Sequence, residues 1–276
     1  MRQTSAVVFC AVDAFIPLRG KIQAGFDDFC AALDHAGIPS VWVTSRSRTQ
    51  IDQRLRELGH RHPFIAEEGS GVYLPEDYFH LRPAKTMRLG RFTCIPIAQT
   101  QPAAAEALES LSEATGVAVV TLRSLSRREL TQNLGLPARE AELARQRDFD
   151  EPFFFAGVSE PDIARFRSEA DQRRLALRQH GVVWSLAVGA DLRKCVREVS
   201  KLYDRALRYH PTILGIATPE DASDVFAGCD RGLLLTRRSP PEIPVPGSQR
   251  LFKMKELPLS EPDWWQRALT EVRQRP

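Results

Sequence analysis

Apolar strand segments that alternate with amphipathic helices constrain the fold of this chain more than any other feature. The strand patterns cover residues 5–12, 38–45 and 63–74, and apolar residues at helical spacing cover 21–35 and 49–58. Strands that alternate with helices imply a parallel sheet with right-handed crossover connections. The pattern therefore predicts an α/β fold with a Rossmann-like core.

A different pattern occupies the middle of the chain. Short strand patterns there cover 92–98, 117–122, 152–157 and 181–188, and helices are predicted over 102–115 and 161–180. The α/β pattern returns after Gly189, with helices over 192–209 and 219–227 and strands over 212–217 and 232–236. This order predicts a discontinuous core domain, 1–86 and 187–276, interrupted by an inserted α+β domain, 87–186.

The C-terminal part carries two further expectations. The proline-rich stretch Ser239–Gly247 is expected to be an ordered loop. Trp264 and Trp265 lie in a short terminal helix that is expected to pack back on the core, because two large apolar side chains gain from burial.

Composition excludes several classes of function. The formal net charge of +3 is too small to indicate a nucleic-acid partner. No run of about 18 apolar residues occurs, so a membrane span is not expected. The N-terminus lacks the apolar core of a signal peptide, which favours a cytoplasmic location. The five cysteines have no CxxC spacing, so neither a zinc site nor a disulfide framework is predicted.

Polar residues follow the first two predicted strands. Asp13 comes directly after the first strand, and Thr44, Ser45 and Arg46 close the second. In parallel α/β proteins, ligands bind beyond the carboxyl ends of the strands. Thr44 is also suited to cap the next helix, and Arg46 to hold a phosphate by charge-assisted hydrogen bonds.

Two segments carry a family resemblance. PFIAEEGSGVYLP, residues 63–75, and ARQRDFDEPFFF, residues 144–155, resemble PFI-x-ENGG-x-I-x-x-P and R-x-F-DEPF of the mannosyl-3-phosphoglycerate phosphatase family. That family lies within the haloacid dehalogenase (HAD) superfamily, in the branch with a large α+β cap. The resemblance implies a HAD core, an inserted cap, and a phosphorylated sugar or sugar-acid ligand. It also implies that Glu68, Arg147 and Asp150 contact the substrate.

The first family motif, D-x-DGT, is altered. Aligned from Phe9, Ala11 occupies the slot of the nucleophilic aspartate, and Asp13 occupies the acid/base slot. A methyl group cannot attack phosphorus. A shifted register instead makes Asp13 the nucleophile, places Phe15 in the acid/base slot and aligns Leu18 with the family's leucine. Both registers remain open at this point.

The second motif, by contrast, is retained. Thr44 fits the hydroxyl that contacts the phosphoryl group in the family, and Ser45 and Arg46 follow it. The resemblance makes these two residues substrate-binding candidates.

The third and fourth motifs lack their central residues. Leu192 stands in the lysine slot, and Lys194, two residues later, is the candidate substitute for that charge. Ala217 stands where the family has a direct Mg²⁺ ligand, whereas Asp221 is retained. Asp13 and Asp221 are the metal-ligand candidates, and the resemblance then implies weak or absent Mg²⁺ binding.

Three functions are compatible with these motifs. The favoured hypothesis is a catalytically impaired phosphatase-like protein that binds a phosphorylated sugar or sugar acid, or that has a regulatory role. An active Mg²⁺-dependent phosphomonoesterase acting on mannosyl-3-phosphoglycerate or a related sugar phosphate is the alternative. The third is a structural or partner-binding subunit whose cleft is filled by Ala11, Phe15, Leu192 and Ala217. The sequence does not predict which protein partner, if any, binds.

Overall fold

The computed structural model describes residues 6–18, 20–80, 83–236 and 253–274. The proline-rich stretch 239–247 lies outside these ranges. The described strands are β1 (Ala6–Ala11), β2 (Ser40–Val43), β3 (Phe64–Ala66), β4 (Gly71–Pro75), β5 (Met87–Leu89), β6 (Phe92–Pro96), β7 (Val119–Thr121), β8 (Glu151–Phe155), β9 (Leu175–His180), β10 (Val183–Val188), β11 (Thr212–Ala217), β12 (Arg231–Thr236) and β13 (Lys253–Pro258). The described α-helices are α1 (Phe26–Ala36), α2 (Arg48–Glu57), α3 (Gln101–Thr115), α4 (Arg127–Leu134), α5 (Ala138–Ala144), α6 (Glu160–Gln172), α7 (Leu192–Leu207), α8 (Pro219–Val225) and α9 (Trp264–Arg273).

Among the described residues, the larger of two sheets has nine strands in the order β13-β12-β11-β1-β2-β3-β4-β6-β5. The strands from β13 to β3 are parallel neighbours, and β4, β6 and β5 extend the sheet in antiparallel fashion. Alternate residues of β1 enter opposite cores: Val8 and Cys10 pack on one face, and Val7 and Phe9 on the other. A strand that is buried on both faces is typical of a parallel sheet. The predicted α/β fold is confirmed.

Helices cover both faces of the large sheet. α1 and α9 contribute Phe29 and Trp264 to one apolar cluster, and α7 and α8 contribute Val199 and Val225 to the other. Trp264 is buried and its ring stacks on Phe15, with the ring centroids 4.9 Å apart. The terminal helix therefore packs back on the core, as predicted. Within the described ranges, no helix is both long and apolar enough to cross a membrane.

A smaller antiparallel sheet, β7-β8-β10-β9, belongs to the segment between β6 and α7. We call residues 101–188, from α3 to β10, the insert. The large sheet continues past residue 87, where the predicted insert begins, because β6 (Phe92–Pro96) still pairs with β4. The assignment of the insert as a cap domain remains a prediction.

Two predictions of secondary structure in the insert were wrong or incomplete. The helix predicted over 161–180 ends at Gln172, and 175–180 form the strand β9, which pairs along its length with β10. The alternation of Leu175 and Leu177 and the turn at Gly181 are strand signals that the preceding helical pattern obscured. Helices α4 and α5 were not predicted, although the capping box at Ser126 is a recognisable helix start.

Candidate functional site

Strand register brings the carboxyl ends of β1, β2 and β11 to one level. Ala11, the last residue of β1, pairs with Val43, the last residue of β2, and Cys10 pairs with Ile216 near the end of β11. Because these strands are parallel, the residues that follow them line one edge of the sheet, which we call the carboxyl edge. The predicted site residues that follow these strands are Asp13, Thr44, Ser45, Arg46 and Asp221.

Asp13 is held by the residues that follow β2. Thr44 Oγ1 donates a hydrogen bond to Asp13 Oδ1 at 2.5 Å. The Ser45 amide and Ser45 Oγ both donate to Asp13 Oδ2, at 2.7 and 2.6 Å. Both carboxylate oxygens therefore accept hydrogen bonds from within the protein. Thr44, which the resemblance assigns to phosphate binding, here donates to a carboxylate.

Arg46 lies beside this carboxylate and is itself buried. Its Nε atom is 3.9 Å from Asp13 Oδ1, and its Nη2 donates to the Ile16 carbonyl oxygen. Burial lowers the pKa of Arg46, while the charge of Asp13 opposes that shift. The guanidinium thus offsets the Asp13 charge and ties the turn after β1 to the end of β2.

The three slots that lack the family's residues are apolar and buried. Ala11, Leu192 and Ala217 belong to one cluster of buried hydrophobic side chains. Phe15 does not join them, because it lies in the cluster on the opposite face, where its ring stacks on Phe26 at 4.8 Å. The four-residue filling of the cleft that the third hypothesis requires was therefore wrong for Phe15.

The role of Lys194 as a substitute for the missing lysine charge stays a prediction. Lys194 is an exposed residue in the first turn of α7, and its amide donates to Asp191 Oδ1 at 2.9 Å to cap that helix. The preceding Leu192 lies against Gly69, whose φ angle is +83°. At the start of α7, the apolar residue Leu192 therefore contacts the turn that follows β3.

His180, the last residue of β9, was not among the predicted site residues. His180 Nε2 forms an ion pair with Glu68 Oε1, so the insert contacts the turn that follows β3. A helix had been predicted across this position, and nothing in that pattern pointed His180 toward the carboxyl edge. Glu68, a predicted ligand-binding residue, therefore meets the insert.

The charges of four residues act on one another at this edge. Burial, followed by the negative charges of Glu68 and Asp13, raises the pKa of Asp221 to about 7. Burial lowers the pKa of His180, but the hydrogen bond and charge of Glu68, with the charges of Asp13 and Asp221, raise it above its ordinary value overall. The insert thus places an imidazole within the field of three carboxylates.

Arg147 and Asp150 pair with each other. Arg147 Nε and Nη2 donate to the two oxygens of Asp150 at 2.5 and 2.6 Å, and Nη2 also donates to the Ser45 carbonyl at 2.9 Å. The Arg147 side chain is 6% exposed and that of Asp150 is 0% exposed. This bidentate pair joins the insert to the β2 end, so neither residue presents a free charged group to a substrate.

Glu67 forms a second buried link to the same segment. Its carboxylate accepts hydrogen bonds from the amides of Asp148, Phe149 and Asp150, between 2.8 and 3.2 Å. Burial and the charge of Asp150 raise the pKa of Glu67 to about 8, against the opposing effect of Arg147. The two segments that carry the family resemblance therefore meet across the boundary between large sheet and insert.

The donor set fits Mg²⁺ poorly. Within the described ranges, no group of three or more His, Cys, Asp or Glu side chains is arranged to hold a metal ion. Both oxygens of Asp13 accept internal hydrogen bonds, and Ala217 supplies no ligand atom. Mg²⁺ demands near-octahedral oxygen ligation. The metal role of Asp13 and Asp221 therefore stays a prediction.

Known proteins with similar sequences are phosphatases. No protein-family model matches the chain. It is 27% identical over 202 residues to a glucosyl-3-phosphoglycerate/mannosyl-3-phosphoglycerate phosphatase from Persephonella marina, covering 72% of each chain. It is 26% identical over 166 residues to a protein of the same name from Methanococcoides burtonii, covering 60% of this chain and only 61% of that relative.

Solved structures share the fold over nearly the whole chain. A HAD phosphatase from Bacteroides thetaiotaomicron has a TM-score of 0.61 at 14% identity, covering 98% of this chain and 96% of its own. A sugar phosphatase of HAD subclass IIB has a TM-score of 0.56 at 12% identity, covering 97% and 98%. The parallel sheet, the second antiparallel sheet and these similarities together show that the chain shares the fold of phosphatases of the haloacid dehalogenase (HAD) superfamily.

Proposed function

We propose that this chain is a catalytically impaired, phosphatase-like protein that binds a phosphorylated sugar or sugar acid at the carboxyl edge, beneath the insert. The observation that carries the proposal is the state of Asp13. Each of its oxygens already accepts a hydrogen bond from Thr44 or Ser45. A carboxylate whose lone pairs are engaged in this way is a weak nucleophile, which argues against the shifted register.

The apolar slots support the same proposal. Phosphoryl transfer requires positive charge to balance the phosphate in the transition state. Leu192 and Ala217 supply neither that charge nor a metal ligand, and both lie in a buried apolar cluster. Ala11 lies in the same cluster, so the three residues that replace the family's catalytic groups pack together. The strands around them keep their register.

The class of ligand comes from the relatives. The similar proteins are named for phosphatases of glucosyl- and mannosyl-3-phosphoglycerate. A chain that keeps their fold can still bind such a molecule after it loses the groups that stabilise the transition state, since only interactions that strengthen in the transition state speed the chemical step. The proposed ligand is therefore a hexosyl-phosphoglycerate or the corresponding sugar acid.

We expect binding without turnover. Purified protein should release no phosphate from mannosyl-3-phosphoglycerate with Mg²⁺, whereas the same compound should raise the midpoint of thermal unfolding. At a ligand concentration of about 100 times Kd, the stabilisation is about 2.7 kcal/mol. Phosphate release is measured beside an active relative, and the thermal shift is measured with EDTA present.

The Asp13→Asn variant separates the hypotheses. Metal-dependent phosphate release that disappears in this variant would establish the active phosphomonoesterase with Asp13 as nucleophile. Neither turnover nor a thermal shift, from folded protein, would favour the structural or partner-binding subunit. A thermal shift without turnover in the wild-type protein supports the proposal.

A further inference from the structure

We infer that His180, carried by the insert, supplies the positive charge that makes the carboxyl edge accept an anionic ligand. The inference rests on the proposed function and names the residue on which binding depends. His180 is the side chain of the small sheet that forms an ion pair with Glu68, a residue of the large-sheet unit. A phosphate or a sugar carboxylate placed beneath the insert would meet this imidazole.

The charges at the carboxyl edge show why such a group is needed. The carboxylates of Asp13, Glu68 and Asp221 all act on His180. The opposing cations are Arg46, which lies beside Asp13, and His180, which pairs with Glu68. With His180 protonated, each of these pairs is internally neutral, and the remaining carboxylate, Asp221, keeps its proton in mildly acidic solution because its pKa is raised to about 7. With His180 neutral, the edge carries an uncompensated Glu68 carboxylate that repels an anion.

The other candidate positions for a cation are apolar, exposed or already paired. Leu192 occupies the lysine slot and is buried, and Lys194 is exposed on the first turn of α7. Arg147 is committed to Asp150 and to the Ser45 carbonyl. His180 is 36% exposed in its side chain, so part of the ring remains open to a ligand. Its Nε2 atom pairs with Glu68, and Nδ1 is the ring nitrogen outside that pair.

Protonation of His180 then controls affinity. The carboxylates around the imidazole raise its pKa above the ordinary value, so the ring is protonated in mildly acidic solution and loses its charge as pH rises. Ligand affinity is expected to be high below this pKa and to fall above it. A charge-assisted hydrogen bond lost in this way weakens binding by about tenfold or more.

The test is a binding titration of mannosyl-3-phosphoglycerate by calorimetry, at several values between about pH 5.5 and about pH 8. Wild-type protein should bind about tenfold more weakly at the upper end. His180→Gln should bind weakly throughout. His180→Lys should bind more tightly than the wild-type protein at the upper end, and its profile isolates the contributions from ionisation of Asp221 and of the ligand's own phosphate.

Arg178→Gln is the matched control. Arg178 lies on the same strand and forms another ion pair between the insert and the large-sheet unit, with its Nη2 2.8 Å from Asp224 Oδ2. This variant loses an insert contact without touching His180, and it should bind as the wild-type protein does. If Arg178→Gln weakens binding as much as His180→Gln, docking of the insert explains the effect and the inference is overturned.

A ligand-free measurement completes the test. The imidazole of His180, followed by NMR, should titrate above its ordinary pKa in the wild-type protein and closer to it in Glu68→Gln. Binding by His180→Gln equal to that of the wild-type protein would overturn the inference and leave the proposed function standing. A wild-type protein that binds the probe at no pH would overturn both.

Discussion

Replacement of Arg147 with methionine is expected to lower the free energy of unfolding by about 3–5 kcal/mol. Methionine removes the guanidinium and leaves the Asp150 carboxylate, which is 0% exposed, without its ion-pair partner. Removal of one member of a buried pair is costly because the remaining charge is neither solvated nor compensated. The Ser45 carbonyl loses a donor in the same step. Chemical denaturation of both proteins measures the difference.

The control for this prediction is a second Arg–Asp pair three residues apart in the same insert. Arg165 Nη2 lies 2.9 Å from Asp162 Oδ1 in α6, and its side chain is 54% exposed. Arg165→Met should cost less than about 1 kcal/mol, because exposed ion pairs contribute little. Equal losses in the two variants would contradict the argument from burial.

A double variant tests the cause of the loss. Arg147→Met combined with Asp150→Leu removes both buried charges, and buried ion pairs replaced by apolar groups often leave stability unchanged. The double variant should therefore be more stable than Arg147→Met alone. If it is less stable, the poor fit of the leucine side chain outweighs removal of the unpaired charge, because both variants lack the hydrogen bond from Arg147 to the Ser45 carbonyl.

Substitution of Gly69 by alanine is the second large effect, with an expected loss of about 3 kcal/mol. The new Cβ atom would lie 2.5 Å from the Cα and 2.6 Å from the N of Leu192, and these backbone atoms cannot rotate away. The φ angle of +83° adds strain for any side chain. The turn after β3 or the start of α7 must shift, which also moves Glu68.

Gly181→Ala serves as the control for backbone strain alone. Gly181 has a φ angle of +62°, and an added Cβ would meet no atom within 4 Å. Its expected cost is about 1 kcal/mol. Comparison of the two unfolding curves separates the close approach of Leu192 from left-handed backbone strain. A Gly69→Ala variant no less stable than Gly181→Ala would show that the contact relaxes freely.

The sequence predicted which residues lie at the carboxyl edge, but it did not predict their partners. Asp13 was predicted to follow the first strand and Thr44 to end the second, and the two side chains are hydrogen-bonded in the fold. Arg147 and Asp150 were predicted to contact substrate on the strength of the FDEPF resemblance. In the fold both side chains are buried and form an ion pair with each other. A buried charge is costly unless it is paired, which is the physical reason for this arrangement.

Sequence periodicity determined the architecture of this protein. A parallel sheet buries its central strands on both faces, so β1, β2 and β11 are apolar runs that are followed by polar residues. This local pattern can be recognised in a single sequence. The apolar residues at Ala11, Leu192 and Ala217 were equally visible. Only the tertiary structure decided that His180 reaches Glu68, that Phe15 packs on the face away from Ala11, and that Arg147 is buried. These outcomes depend on how the insert sits against the sheet, and contacts between residues far apart in sequence leave no periodic signal along the chain.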